Sequence, residues 1–255
     1  MLSLTSDNEF EVFVGDKRLL HIGRLQQLAT CLITAVAFCL AAYASRYFST
    51  AFMHDSLEIV SDQISFDWQI GLGRWLQPVL WAIRGHINAP WLLGLVSMPF
   101  FALASWLITD VLQLEGRVSA VCVTAVIVTA MPIALGHATY IPWVDVYAIA
   151  LFLSVLAVWL CVRSRYWFLA ALPLAGSLAL YQSYLQFFTG LVVLVLMRRC
   201  LYKDTDAHEI WSLFKVFAGL SGWPRHLLAL YYLCLSDNGH RKSRIVQRNY
   251  RGGYI

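Results

Sequence analysis

The chain has 255 residues, 59% hydrophobic, 14% aromatic and 13% charged, and carries a formal net charge of +4 at pH 7. Soluble domains carry roughly a quarter charged residues, so this composition excludes an ordinary soluble enzyme and points to an all-α, multi-pass membrane protein. No basic patch suits nucleic acid, and no nucleic-acid partner is expected.

Residues 1–24 form a mixed polar segment. Asp7, Glu9, Glu11 and Asp16 make it a poor cleavable leader. It closes with Lys17, Arg18 and Arg24 ahead of the first apolar run, which predicts a cytoplasmic N-terminus. From Leu25 to Ser45 no charge appears. These are about 21 residues, enough for one helix across roughly 30 Å of hydrocarbon, and make span one, running outward.

The next stretch, Met53 to Trp75, gathers Asp55, Glu58, Asp62 and Asp67 and closes with Arg74, whereas the apolar spans around it carry almost no charge. Ionisable groups concentrated against a membrane are candidates for chemistry. After it, Trp75 to Arg84 is Trp-rich and too short to cross, which predicts an interfacial amphipathic helix in the first outer loop.

Trp91 to Thr109 is span two, returning to the inner side at Asp110, Glu115 and Arg117. Val118 to Leu135 is span three, and residues 136–145 then form an outer loop with Tyr140, Trp143 and Asp145. Val146 to Val162 is span four, ending on Arg163 and Arg165. Tyr166 to Met197 carries no charge and is too long for one ordinary span. The polar group Tyr181-Gln-Ser-Tyr184 falls near its middle, so a tight outer turn there joins spans five and six.

This six-span reading of residues 25–203 puts nine Lys and Arg residues on inner flanks, from Lys17 to Lys203. Arg46, Arg74 and Arg84 are left outside, which is the bias expected of a multi-pass protein. Residues 204–255 form a divergent tail: Trp211 to Leu235 is apolar but interrupted by Lys215, Pro224, Arg225 and His226, and a basic stretch follows. An interfacial or poorly ordered tail fits this composition better than a further span. Cys31, Cys39, Cys122, Cys161, Cys200 and Cys234 lie in or beside apolar segments without CxxC or His/Cys ligand spacing, and read as small core residues. His54 and His137 likewise lack ligand spacing and read as polar loop residues.

Taken together, the His54-Asp-Ser loop, Leu72-Gly-Arg-Trp75, Pro90-Trp-Leu-Leu-Gly94 and Leu180-Tyr-Gln-Ser-Tyr-Leu185 resemble the bacterial glucosyltransferase family of the GtrII type. That family is similar to the wider GT-C class of polytopic glycosyltransferases. The resemblance runs from about Leu25 to Lys203, the transmembrane glucosyltransferase-like part. It implies a hexosyltransferase of the bacterial inner membrane that takes glucose from a polyprenyl-phosphate donor. The acceptor is a lipid-linked or surface glycan on the extracytoplasmic side, such as the O-antigen of lipopolysaccharide, and the catalytic acid lies in the first outer loop. Members of the family are generally about twice this length, so an inactive, truncated scaffold is one alternative. A transporter or flippase subunit is another, although its ionisable groups usually sit near the bilayer midplane.

Such a transfer needs a carboxylate to take the acceptor's proton and a cation to hold the departing phosphate. Asp55 is the base candidate; its plain alternative is capping a short helix that starts at Ser56. If the segment is helical, Glu58, three residues on, shares a face with Asp55, where the pair could bind a divalent cation or split their pKa values; otherwise it is a solvated loop charge. Asp62 and Asp67 are further substrate-side candidates or solvated charges. Arg74 can fork onto a phosphate or anchor in headgroups, and Arg84 leans toward the anchor. Asp145 either contacts the acceptor or sits in water at the mouth of span four. Tyr181, Gln182 and Tyr184 line a sugar site by stacking and hydrogen bonding, or are ordinary interfacial residues. No metal site is assigned, and no cofactor is expected beyond the optional divalent cation at Asp55 and Glu58.

Overall fold

A computed structural model describes residues 13–14, 17–18, 23–48, 66–85, 89–114, 117–131, 143–163 and 167–202. The chain divides into two units, Met1–Thr205 and Asp206–Ile255, and every described residue belongs to the first.

The described residues are almost entirely helical. The exception is a two-residue antiparallel ladder that pairs β1, Phe13–Val14, with β2, Lys17–Arg18. The helices are α1 (Arg24–Tyr47), α2 (Asp67–Gly71), α3 (Leu76–Ile83), α4 (Pro90–Val111), α5 (Val118–Ala130), α6 (Val144–Arg163), α7 (Ala171–Leu180) and α8 (Tyr184–Tyr202). A 3-10 turn at Trp167–Ala170 leads into α7.

Helix α1 is rich in Ala and Leu, with neither Gly nor Pro inside it. At its start the Gly23 N–H donates to Gln26 Oε1 at 3.0 Å, which satisfies one of the amides a helix N-terminus leaves open. It buries one narrow stripe, Gln27, Cys31, Ala35 and Cys39, at four-residue spacing. Its other faces carry exposed apolar side chains such as Ile33, an arrangement suited to lipid rather than water. Cys31, Cys39 and Cys161 are buried free thiols and Cys122 is half-buried, matching their reading as core residues.

Proline opens α4 at its first position, where no helical N–H is needed. Helices α4 and α6 bury the longest runs of residues and form the centre of the bundle. Side-chain contacts set the helix directions. The Thr34 hydroxyl donates to Cys122 Sγ at 3.5 Å and the Tyr43 hydroxyl to the Thr129 carbonyl at 3.2 Å, so α1 and α5 run the same way. Tyr47, near the end of α1, lies against Gly94 in the first turns of α4, so those two run oppositely. Asp110, in the last turn of α4, accepts from Trp159 Nε1 at 2.8 Å and pairs with Arg163 Nε at 3.2 Å at the end of α6.

Helices α1, α4 and α6 are long and apolar enough to cross a membrane; α5 and the segment Phe168–Leu180 are apolar but shorter. At 13 residues α5 rises about 20 Å, short of a full span. The sequence carries span three through Leu135, whereas α5 stops at Ala130. The physical reason is Pro132: the residue before a proline is driven out of the helical region, and Met131 sits at φ −56°, ψ 155°. The expected break between spans five and six is present as Tyr181–Ser183, between α7 and α8. It sits among the helices, because the Ser154 hydroxyl, well along α6, donates to the Tyr184 carbonyl at 3.2 Å.

Candidate functional site

Helix α2 ends in a turn built around Gly73. The Gly73 N–H bonds to the Ile70 carbonyl at 2.9 Å and the Arg74 N–H to the Gln69 carbonyl at 2.8 Å, the paired bonds of a Schellman helix end. This motif needs a left-handed residue, and Gly73 supplies it at φ +82°. The chain then turns into α3, whose polarity is set by position. Gln77 and Trp81, four apart, are buried, while Trp75, Val79 and Ile83 are 53%, 46% and 76% exposed. The outward face is thus apolar and the polar glutamine points inward.

The turn brings Arg74 onto the Tyr181 break. Its guanidinium carbon lies 4.5 Å from the Tyr181 ring centroid, within cation–π range. Tyr181 meets Tyr147 edge-on at 4.9 Å and Tyr184 at 5.9 Å. Arg74 Nε is buried and has no hydrogen-bond partner among the described residues. Gln182 Nε2 donates to the Leu72 carbonyl, and Gln77 Nε2 donates to the Leu180 carbonyl at 2.7 Å. Four of the sequence candidates, Arg74, Tyr181, Gln182 and Tyr184, therefore share one corner.

A second corner lies at the far end of α3. Arg84 Nη1 stands 3.1 and 3.2 Å from the two oxygens of Asp145, and both side chains are only 10% exposed. The Arg84 guanidinium also lies 4.3 Å from the Trp81 ring, which packs on Trp143 and Phe66 at 5.7 and 6.0 Å. Burial pushes the Arg84 guanidinium down from its ordinary value and the Asp145 charge opposes that shift. A guanidinium stays ionised through such shifts. Of the alternatives for Asp145, the solvated one is corrected, since the side chain is buried against Arg84; Arg84 is likewise buried against Asp145 rather than extended to the surface.

Asp67 is exposed in the first turn of α2, and Asp55, Glu58 and Asp62 lie outside the described residues. Among the described residues no group of three His, Cys, Asp or Glu side chains could hold a metal ion. Two members of the first corner escape the sequence reading. Tyr147 lies two positions after Asp145, and Gln77 is a polar residue on the buried face of an amphipathic helix, a signal that sequence does offer.

In the Tyr181 break, Ser183 lines a cleft of about 710 Å³ between the end of α4, α5 and α8, with Ile108, Ile127, Met131, Gln186 and Leu194 among its lining. The corner thus joins a cation and three tyrosines on a break among the helices, and Ser183 of that break lines an apolar cleft.

No curated protein and no solved structure matches the chain. A family model described as glucosyl transferase GtrII matches residues 44–245, which include the acidic loop, both corners and every helix from α2 to α8. With most of its length covered by that match, the chain belongs to the GtrII glucosyl transferase family.

Proposed function

We propose that this chain is a bacterial inner-membrane glucosyltransferase with a cytoplasmic N-terminus. It moves glucose from a polyprenyl-phosphate carrier to an extracytoplasmic glycan such as O-antigen. The observation that carries the reading is Arg74, held over Tyr181 with a buried Nε that has no hydrogen-bond partner among the described residues, on a break whose Ser183 lines an apolar cleft. A guanidinium of this kind suits a phosphate, the tyrosine cluster suits a sugar face, and the cleft favours a lipid-borne donor over a soluble nucleotide sugar. The apolar outer face of α3 suits a helix lying in the headgroup region.

In this reading Asp55 takes the proton of the acceptor hydroxyl as that oxygen bonds to the anomeric carbon of glucose. The bond from that carbon to the phosphate oxygen breaks, its electron pair leaves with polyprenyl phosphate, and Arg74 balances the charge. Glu58, three residues on in sequence, acts as modulator of Asp55 or as part of a divalent-cation site. Asp62 and Asp67 lie on the substrate side, as do Gln182 and Tyr184. Asp145, engaged by Arg84, holds the second corner next to the acceptor path.

The test is transfer of radiolabelled glucose from polyprenyl-phosphate glucose to lipopolysaccharide, in membranes of a host without its own such enzyme. Asp55→Asn at matched membrane levels is expected to lower the rate about 10²- to 10⁴-fold. A parent chain without transfer, in membranes where donor and acceptor are both present, overturns the reading in favour of a scaffold. An Asp55→Asn variant at the parental rate moves the base to Glu58 or Asp62.

A further inference from the structure

Gln77 has no role in the chemistry above and Gln182 enters it only on the substrate side, yet the bonding of the two glutamines is reciprocal. Gln182, on the Tyr181 break, donates to the carbonyl of Leu72 in the loop before α3. Gln77, on α3, donates to the carbonyl of Leu180 at the end of α7. The partners are 110 and 103 positions apart in the chain. Along one strand of contact the order is Leu72, Arg74, Gln77; along the other it is Gln182, Tyr181, Leu180. The cation–π contact of Arg74 with Tyr181 is therefore bracketed by a hydrogen bond on each side.

The bracket has a geometric requirement at Gly73. A Cβ there would stand 3.0 Å from Gln182 Nε2, on a backbone already at φ +82°. The glycine thus serves both the helix end and the close approach of the glutamine. Leu180 is the last residue of its helix, where carbonyls lack intrahelical partners, so the Gln77 amide satisfies a group that would otherwise be buried and open.

We propose that Gln77 and Gln182 are positioning residues that hold Arg74 on Tyr181 in the orientation needed to receive a lipid phosphate. The inference rests on the reading of Arg74 as the phosphate ligand. A long, rotamer-rich arginine loses affinity when it must be ordered at the moment of binding, and a preformed bracket removes that cost.

The experiment measures the Kd of farnesyl phosphate for the full chain in detergent micelles. Gln77→Met and Gln182→Met keep side-chain length and remove the donor. Each is expected to weaken binding about three- to tenfold, and neither is expected to weaken it further in an Arg74→Ala background, because the glutamines act through Arg74. Gln182 is exposed, so Gln182→Met keeps the test open should Gln77→Met fail to fold. Parental affinity in the methionine variants overturns the inference, and so does an equal loss with and without Arg74, which marks a merely structural role. If Arg74→Ala itself binds farnesyl phosphate like the parent, the phosphate reading fails first and the inference falls with it.

Discussion

Arg84 and Asp145 form a buried ion pair, one guanidinium nitrogen lying 3.1 and 3.2 Å from the two carboxylate oxygens, across 61 positions of sequence. The pair ties the end of α3 to the first turn of α6, the only acidic residue in that turn being Asp145 itself. Removing one member leaves the other charge buried. Asp145→Ala is expected to cost about 3–5 kcal/mol, whereas replacing both members with apolar residues of similar volume, Arg84→Met with Asp145→Leu, is expected to recover most of it. Thermal unfolding of the three proteins in detergent checks the order; a double variant no more stable than the single one contradicts it.

For Arg74, charge and shape separate. Arg74→Lys keeps the charge but loses the planar fork, and Arg74→Ala loses both. Transfer is expected to fall about 10²- to 10³-fold in the alanine variant, as for loss of a donor to developing charge, and less in the lysine variant. Rates compared at equal membrane content show whether lysine is the milder change; equal losses would point to the fork alone.

The contact between α1 and α4 leaves no room at Gly94. A Cβ there would lie 2.8 Å from the Tyr47 ring, which is itself buried, while a Cβ on Gly190 in α8 would meet nothing within 4 Å. Gly94→Ala is therefore expected to destabilise by about 1–3 kcal/mol through overpacking. Gly190→Ala is expected to be neutral or to stabilise by up to about 1 kcal/mol, since alanine is the better helix former. Melting temperatures of both variants decide it.

The topology has its own check. With the six native cysteines replaced, a cysteine at Ser61 is expected to react with an impermeant thiol reagent in intact cells, because the bias of Lys and Arg predicts an outer acidic loop. Labelling that requires permeabilised cells would invert the orientation.

The helix positions were legible in the sequence because lipid imposes a simple local rule: backbone groups must bond within the segment, so an uninterrupted apolar run becomes a helix. Leu25 to Ser45 lies within α1, Trp91 to Thr109 within α4, and Val146 to Val162 within α6. The break at Tyr181–Ser183 was equally visible as polar residues in a run too long for one span. Arg74, Tyr181, Gln182 and Tyr184 were recognisable one by one as polar or aromatic residues beside apolar segments. What the sequence could not assign was their company. That Gln77 bonds to Leu180, that Arg74 lies on Tyr181, and that Arg84 finds Asp145 depends on which helices are neighbours and at what depth. These are long-range choices made by packing, in which one partner carries no local trace of the other. The burial of Asp145 shows the consequence: next to a predicted outer loop it reads as an acceptor contact or a solvated charge, and only the arrival of Arg84 from the end of α3 makes its burial tolerable.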